Sequence, residues 1–508
     1  MPTLGQVARR IDAMPGIGEA APHRLAQHRV VFHPQNAHAR ALVRYRSGKT
    51  CHKSGMSIRQ LKPMGRLAWA CAGAWAFFWA GVAGPGAAWA QTPLGLEQVL
   101  DSASANLEVS ISRSLLEAAR ADITSADRNP FPVLSARTSS LDLQNGLGGG
   151  NVWRDKRIDK GLGLDITQER GNKRELRTRS AQSSARAAEQ DLAQTRRQQL
   201  WLASMAYYDW LAQIERLRHV TALAQASRQQ AQTALKRQQA GDVSVQDRLR
   251  FEIEARRSES EVPSVAAGLL RAQGALRQIT RLEAPAQGWS PVQGWPEARA
   301  EWLDAAPWAA RLSMAVDQRP DVVAAQERVE AARQALELAL AQKKSDITWG
   351  GSVDHYPGTS ARLLELRLQM PLQWNYQYQG EIAKAQAQLM QSEDQLAQAR
   401  LQARTELDGL YQGFVAARVR WHAHRDDILP QARQVLAQAE AAYQKGGLSL
   451  TDLLDARRTF HSTWLDALAA RQTHANALAG LVLNTETEMQ ARRVLVQIAD
   501  AAPNQNSN

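Results

Sequence analysis

One unusual unit occurs twice in this chain, and that duplication constrains the fold more than any other feature. The unit opens at Leu363-Leu364-Glu365-Leu366-Arg367-Leu368-Gln369-Met370-Pro371, where apolar Leu364, Leu366, Leu368 and Met370 alternate with Glu365, Arg367 and Gln369. Period-two alternation is the pattern of a strand with one apolar and one wet face. From Gly380 the pattern changes to an Ala-, Gln- and Leu-rich helical run of about 100 Å at the α-helical rise. It stops at Gln444-Lys445-Gly446-Gly447-Leu448-Ser449-Leu450-Thr451-Asp452, a glycine stop followed by start signals for a returning helix. The same features stand 204 residues earlier: Leu162-Gly163-Leu164-Asp165-Ile166 matches Leu366 to Met370, Tyr207 matches Tyr411 and Trp210 matches Phe414. At the tip the offset becomes 205, pairing Gly241, Ser244, Asp247 and Leu249 with Gly446, Ser449, Asp452 and Leu454. A register this long with one inserted residue is an internal repeat.

The net charge of +12 points toward nucleic acid only until its distribution is considered. Residues 1–90 hold 12 of the 62 Lys and Arg but only 2 of the 50 Asp and Glu, so the remainder is close to neutral. No nucleic-acid partner is expected. Arg66, the apolar run Leu67–Trp89 and the Ala88-Trp89-Ala90 site read as a secretory signal peptide over 56–90. Residues 1–55, with five of the 11 histidines and no apolar period, read as a disordered upstream extension from an early start codon. Cys51 and Cys71 both fall ahead of the cleavage site, so the mature chain has no disulfide, thiolate site or thiol nucleophile.

The first repeat is assigned to 91–282 and the second to 319–485, with a Pro- and Trp-rich linker at 283–318 and a tail at 486–508. Residues 95–128 read as one helix stopped at Asn129-Pro130-Phe131-Pro132, with a strand at Val133–Leu143. Gly146-Leu147-Gly148-Gly149-Gly150 is not a phosphate cradle, because a strand rather than a helix follows it. The return helix 246–281 is expected to kink at Pro263. A helix at Asp321–Lys344 and a strand from Ile347 to the turn Tyr356-Pro357-Gly358 open the second repeat.

Four one-faced strands cannot close a barrel alone, and a bilayer demands closure because every backbone polar group must be paired. The strands are about 9–12 residues, the length that crosses hydrocarbon when tilted. In a membrane the barrel would therefore be shared between chains.

The mature chain resembles the TolC family of outer-membrane efflux proteins, through the twin repeat, Leu368-Gln369-Met370-Pro371-Leu372 and the tip Thr451-Asp452-Leu453-Leu454-Asp455-Ala456. The resemblance implies a mainly α fold with a transmembrane β part: a homotrimer with a 12-stranded β-barrel and an α-helical periplasmic tunnel. It also implies a passive exit duct serving a periplasmic adaptor (membrane fusion protein) and an inner-membrane RND-type pump. Thr167-Gln168-Glu169-Arg170-Gly171-Asn172-Lys173-Arg174 is similar to a Gln…Gly-Lys-Arg segment of the CzcC-like heavy-metal branch, with Asn172 as an extra residue. Asp452 and Asp455 match the family's paired tip aspartates at the periplasmic entrance. Three copies of each would ring one constriction, favouring cations. As residues they also suit the cap and acid-favouring first turn of the return helix. Tyr443 matches a tyrosine that holds the entrance closed, although its basic family partner is Leu448 here. Gly241, Ser244, Gly446 and Ser449 mark the tips that an adaptor would meet.

His422 and His424 stand two apart on a helix and diverge, so they are poor metal ligands, and His461 and His474 read as solvated or packed helix positions. No zincin motif, nucleophile elbow or Walker loop occurs. No enzyme and no cofactor are expected. The rival class is a periplasmic coiled-coil adaptor or scaffold without a barrel.

Overall fold

The computed structural model describes residues 92–500, apart from 142–143, 145–148, 152–157, 284, 286–287, 298–307 and 358. The signal-peptide, upstream-extension and cysteine assignments lie outside the described residues, as does the tail beyond 500.

Four strands form one antiparallel sheet in the order β2-β3-β5-β6, with β2 at Val133–Ser139, β3 at Asp159–Gln168, β5 at Ile347–Tyr356 and β6 at Ser360–Gln369. Register decides which residues share a face. Leu134, Leu164, Gly351 and Leu366 lie opposite one another, as do Ala136, Leu162, Val353 and Leu364. One face is therefore apolar, and it is exposed: Leu366 keeps 81% of its surface and Leu134 and Leu364 keep 70% each. The opposite face carries charge pairs. Arg137 donates to Asp354 at 3.1 Å and Arg367 to Asp165 at 2.6 Å. Gly161 and Gly350 make room for them, since a Cβ there would stand 2.0 Å from an Asp354 oxygen and 2.3 Å from an Asp165 oxygen. Edges β2 and β6 have no further strand partner among the described residues.

The helices repeat as the strands do. The first repeat runs through α2 (Leu107–Ala126), α3 (Lys173–Gln239) and α4 (Val245–Thr280). The second runs through α6 (Pro320–Ala341), α7 (Gln379–His422), α8 (Leu429–Gln444) and α9 (Leu450–Thr485). α4 and α9 have 36 residues each and start 205 residues apart, the offset read at the tips. α3, 67 residues long, extends about 100 Å at 1.5 Å per residue. Among the described residues no helix is long and apolar enough to cross a membrane.

Several boundaries differ from the sequence expectation. The helix expected at 95–128 is two: α1 (Leu96–Ala103) and α2, divided where the Asn106 side chain accepts the Val109 backbone N–H at 3.1 Å and caps α2. β2 ends at Ser139, short of Leu143. α4 starts at Val245 and carries Pro263 within it. The rod expected from Gly380 is interrupted by a π-helical turn, Ala423–Ile428, immediately before Pro430. Proline lacks the N–H for the α-helical bond and its ring crowds the carbonyl four residues back, so a wider turn accommodates it.

The largest core sits where short elements wrap the middle of the helices. β1 (Thr92–Leu94) pairs in parallel with β4 (Trp289–Pro291), and α1 and α10 (Glu488–Asp500) pack beside them. Tyr207, Tyr208 and Trp210 of α3 are fully buried there with Leu100, Leu478 and Leu495. Trp295 donates to Glu215 at 2.7 Å. Trp308, at the start of α5 (Trp308–Gln318), stacks on Tyr411 and donates to Asp408 at 3.1 Å. Trp295 and Trp308 thus fasten the described residues around them onto the helices. α10 buries Ala491, Leu495 and Ile498, so this helix of the expected tail belongs to the core.

The junction from sheet to helix is also specific. Gly171 (φ 79°) and Asn172 (φ 59°) both adopt the left-handed region, reversing the chain from β3 into α3. Lys173 is then buried, and its Nζ donates to Asp346 at 2.9 Å. The Arg170 backbone N–H reaches the same oxygen at 2.9 Å, and Arg177 grips both oxygens of Glu169.

Candidate functional site at the hairpin tips

Both tips are built alike. Gly241 (φ 84°) and Gly446 (φ 75°) follow the ends of α3 and α8 in a conformation that strains any side chain. Asp242 N donates to Arg237 O and Gly447 N to Ala442 O, each at 2.9 Å, satisfying carbonyls that the helix end leaves unpaired. The chain then turns through Ser244 and Ser449. Their Oγ atoms accept the backbone N–H of Asp247 at 3.0 Å and of Asp452 at 3.2 Å, capping α4 and α9. Each hydroxyl is donated in turn to the carboxylate of that same aspartate, at 2.8 and 2.6 Å.

Asp452 is therefore a cap partner as well as an exposed carboxylate, and Asp455, one turn further on, is exposed too. The repeats differ at this second position. Offset by 205, Asp455 corresponds to Arg250, so the acidic pair belongs to the second tip alone. Arg250 instead donates to Thr451 at 2.9 Å, and Arg458 donates to Glu254 at 3.3 Å, which ties α4 to α9. Sequence comparison of the repeats could have found Arg250, but not its partner.

Tyr443 packs against Phe251 of the first hairpin, with ring centroids 6.2 Å apart, beside Ala234, Leu450 and Leu454. Burial raises its phenol above the ordinary range. A cleft of about 260 Å³ between the tips is lined by Arg237, Phe251, Glu440, Tyr443, Leu453 and Arg457, with Arg457 donating to Glu440 at 2.8 Å. Tyr443 thus joins the two hairpins of one chain, while Asp452 and Asp455 face outward.

The remaining histidines have structural settings. His219 of α3 shares a hydrogen bond of 3.1 Å with His461 of α9 and stacks on Trp464 at 3.8 Å. Burial, with His461 beside it, lowers its pKa to about 4. His474 is buried against Phe414, and burial lowers it to about 4. His422 meets Asp426 and Arg425 within the π-helical segment. Among the described residues no three His, Cys, Asp or Glu side chains form a group that could hold a metal ion.

Residues 312–485 match the family model described as outer membrane efflux protein. The chain is 24% identical over 375 residues to the cobalt-zinc-cadmium resistance protein CzcC of Cupriavidus metallidurans, covering 72% of this chain and 84% of that protein. The solved structure of CusC superposes with a TM-score of 0.65 at 16% identity, over 77% of this chain and 91% of that one. VceC from Vibrio cholerae gives 0.60 at 17% identity, over 77% and 95%. These likenesses support an outer-membrane factor of the TolC family. The family match and these neighbours support an outer-membrane location with a periplasmic tunnel and the role of an exit channel of tripartite efflux systems. The four strands form one open sheet with an exposed apolar face and a face of Arg–Asp pairs, and the channel structures support a barrel of which this sheet would be a part. The family and its structures are channels rather than enzymes, and TolC-family channels are trimers that work with an adaptor and a pump.

Proposed function

We propose that three copies of this chain form the exit duct for divalent metal cations, docked to a periplasmic adaptor and an inner-membrane pump. The observation that carries the substrate class is the pair of exposed carboxylates, Asp452 and Asp455, on the second tip only. Three symmetry-related copies would gather six carboxylates at one entrance, which concentrates cations and repels anions. The cobalt-zinc-cadmium relative supports the same reading. Assembly has its own support. The sheet edges have no strand partner among the described residues, and α2 presents Leu107, Ile111 and Leu115, spaced by four, as an exposed apolar row that a neighbouring copy would cover. The tip turns at Gly241, Ser244, Gly446 and Ser449 are the surfaces offered to the adaptor, and Tyr443 holds the two hairpins together in the closed entrance. Residues 91–282 and 319–485 act as the two halves of this unit around the 283–318 link.

The test is ion selectivity in planar bilayers. The native trimer is expected to prefer potassium to chloride and to pass zinc. The doubly substituted Asp452→Asn, Asp455→Asn protein is expected to lose at least half of that preference at low salt, where screening is weak. An unchanged permeability ratio would remove the tip carboxylates from the account. A gene-deleted strain with unaltered tolerance to cobalt, zinc and cadmium would remove the substrate class.

A further inference from the structure

A cavity of about 570 Å³ lies among α3, α6, α7 and α9, away from the tips, and two arginines line it. Arg319 is almost fully buried. Its Nε and Nη2 grip Asp321 at 2.9 and 2.6 Å, and Nη2 also reaches Glu406 at 2.8 Å. Its remaining Nη1 is buried with no protein acceptor. Across the cavity Arg197 is paired with no carboxylate among the described residues, and its Nη1 is likewise buried without an acceptor. Trp201, also in the lining, has an indole N–H in the same condition. An unsatisfied buried N–H is costly, and one on a guanidinium more so. Burial, and then Arg319 beside it, lower the Arg197 pKa, against the opposite pull of Asp321 and Glu488. Arg319 is also the N-cap of α6, whose positive helix end adds to the field.

From this convergence we propose that the cavity binds a small free oxyanion of the phosphate or carboxylate class, bridging Arg197 and Arg319. Both guanidinium groups keep a buried N–H without an acceptor after Arg319 has bound its two carboxylates. One oxyanion supplies acceptors to both guanidinium groups. The site is independent of the substrate reading, since no tip residue takes part.

The test uses detergent-purified, assembled full-length protein titrated calorimetrically with inorganic phosphate and, separately, acetate, against chloride at matched ionic strength. Saturable binding of one anion per chain is expected. Tighter phosphate binding identifies a tetrahedral guest and tighter acetate binding a planar carboxylate. Trp201 fluorescence is expected to change with the same midpoint, and Trp201→Phe to abolish the signal. Arg197→Met is expected to weaken binding at least tenfold with assembly retained. Arg197→Lys, which keeps the charge but loses the planar fork, is expected to weaken it severalfold and serves if the methionine variant fails to assemble. Absence of saturable binding by the native protein to either anion would overturn the proposal, as would an isotherm unchanged in both Arg197 variants. Either result would mean that water, or a carboxylate of a neighbouring copy, satisfies the arginines.

Discussion

Leu366→Arg is expected to remove the assembled protein from the outer membrane. Leu366 sits in the middle of the apolar face, in one row with Leu134, Leu164 and Gly351, and is the most exposed leucine of the sheet. On a lipid-facing strand an arginine at mid-bilayer costs about 2–4 kcal/mol per chain, so about 6–12 kcal/mol for three copies. That is comparable with the whole stability of an ordinary domain. The trimer band of the outer-membrane fraction is expected to fall at least tenfold. The neighbouring change Glu365→Gln lies on the other face, where water and the Arg137 and Arg367 guanidinium groups are close, and should leave the band near its native level. Equal tolerance of both substitutions would contradict the assignment of the two faces.

Asp346→Ala acts where the sheet passes into the tunnel. It removes the only carboxylate bonded to buried Lys173 among the described residues, and with it the acceptor of the Arg170 backbone N–H. Breaking a buried pair from one side costs about 3–5 kcal/mol, because the other charge stays behind without a partner. Lys173→Met should be milder, since it removes the buried charge itself and leaves Asp346, 30% exposed, to water. The readout is limited trypsin digestion. Arg170, Lys173 and Arg174 are cleavage points within the junction, and cleavage follows the population that opens locally. Asp346→Ala is expected to raise the rate there by about a hundredfold to a few thousandfold, 1.4 kcal/mol being a factor of ten. Lys173→Met should raise it far less. A larger effect for the methionine variant would mean that Lys173 does not depend on Asp346.

The repeat, the strand faces and the tip caps were legible because each depends on local order. Alternation at Leu364, Leu366 and Leu368 already states which side chains share a face. Glycine at 241 and 446 with serine three residues on already states where one helix ends and the next begins. Features that depend on distant partners were not legible. Lys173 stands in a basic run that looks solvated, and only the approach of Asp346, 173 residues away, makes it a buried charge. Arg250 could be aligned with Asp455, yet its bond to Thr451 crosses between repeats. Asn106 resembles a polar residue on one helix face until its side chain is seen capping a new helix. Pro430 was visible, but the π-helical turn that absorbs it depends on neighbouring helices holding the rod together. The role of the tip aspartates was suggested by resemblance. The fold corrects the cap expected at Asp452: Ser449 is the cap, and Asp452 accepts its hydroxyl at 2.6 Å, so Asp452→Asn separates the charge from that hydrogen bond better than Asp452→Ala, because asparagine keeps an acceptor oxygen.

The central claim is that this four-stranded sheet is one third of a closed barrel. Its most direct test is to express the full chain, fractionate the cell envelope and determine the mass of the detergent extract. A trimer recovered from the outer-membrane fraction is the expected result. A monomer released with the soluble periplasm, with no detergent required, would contradict it and leave the two hairpins as a coiled-coil scaffold.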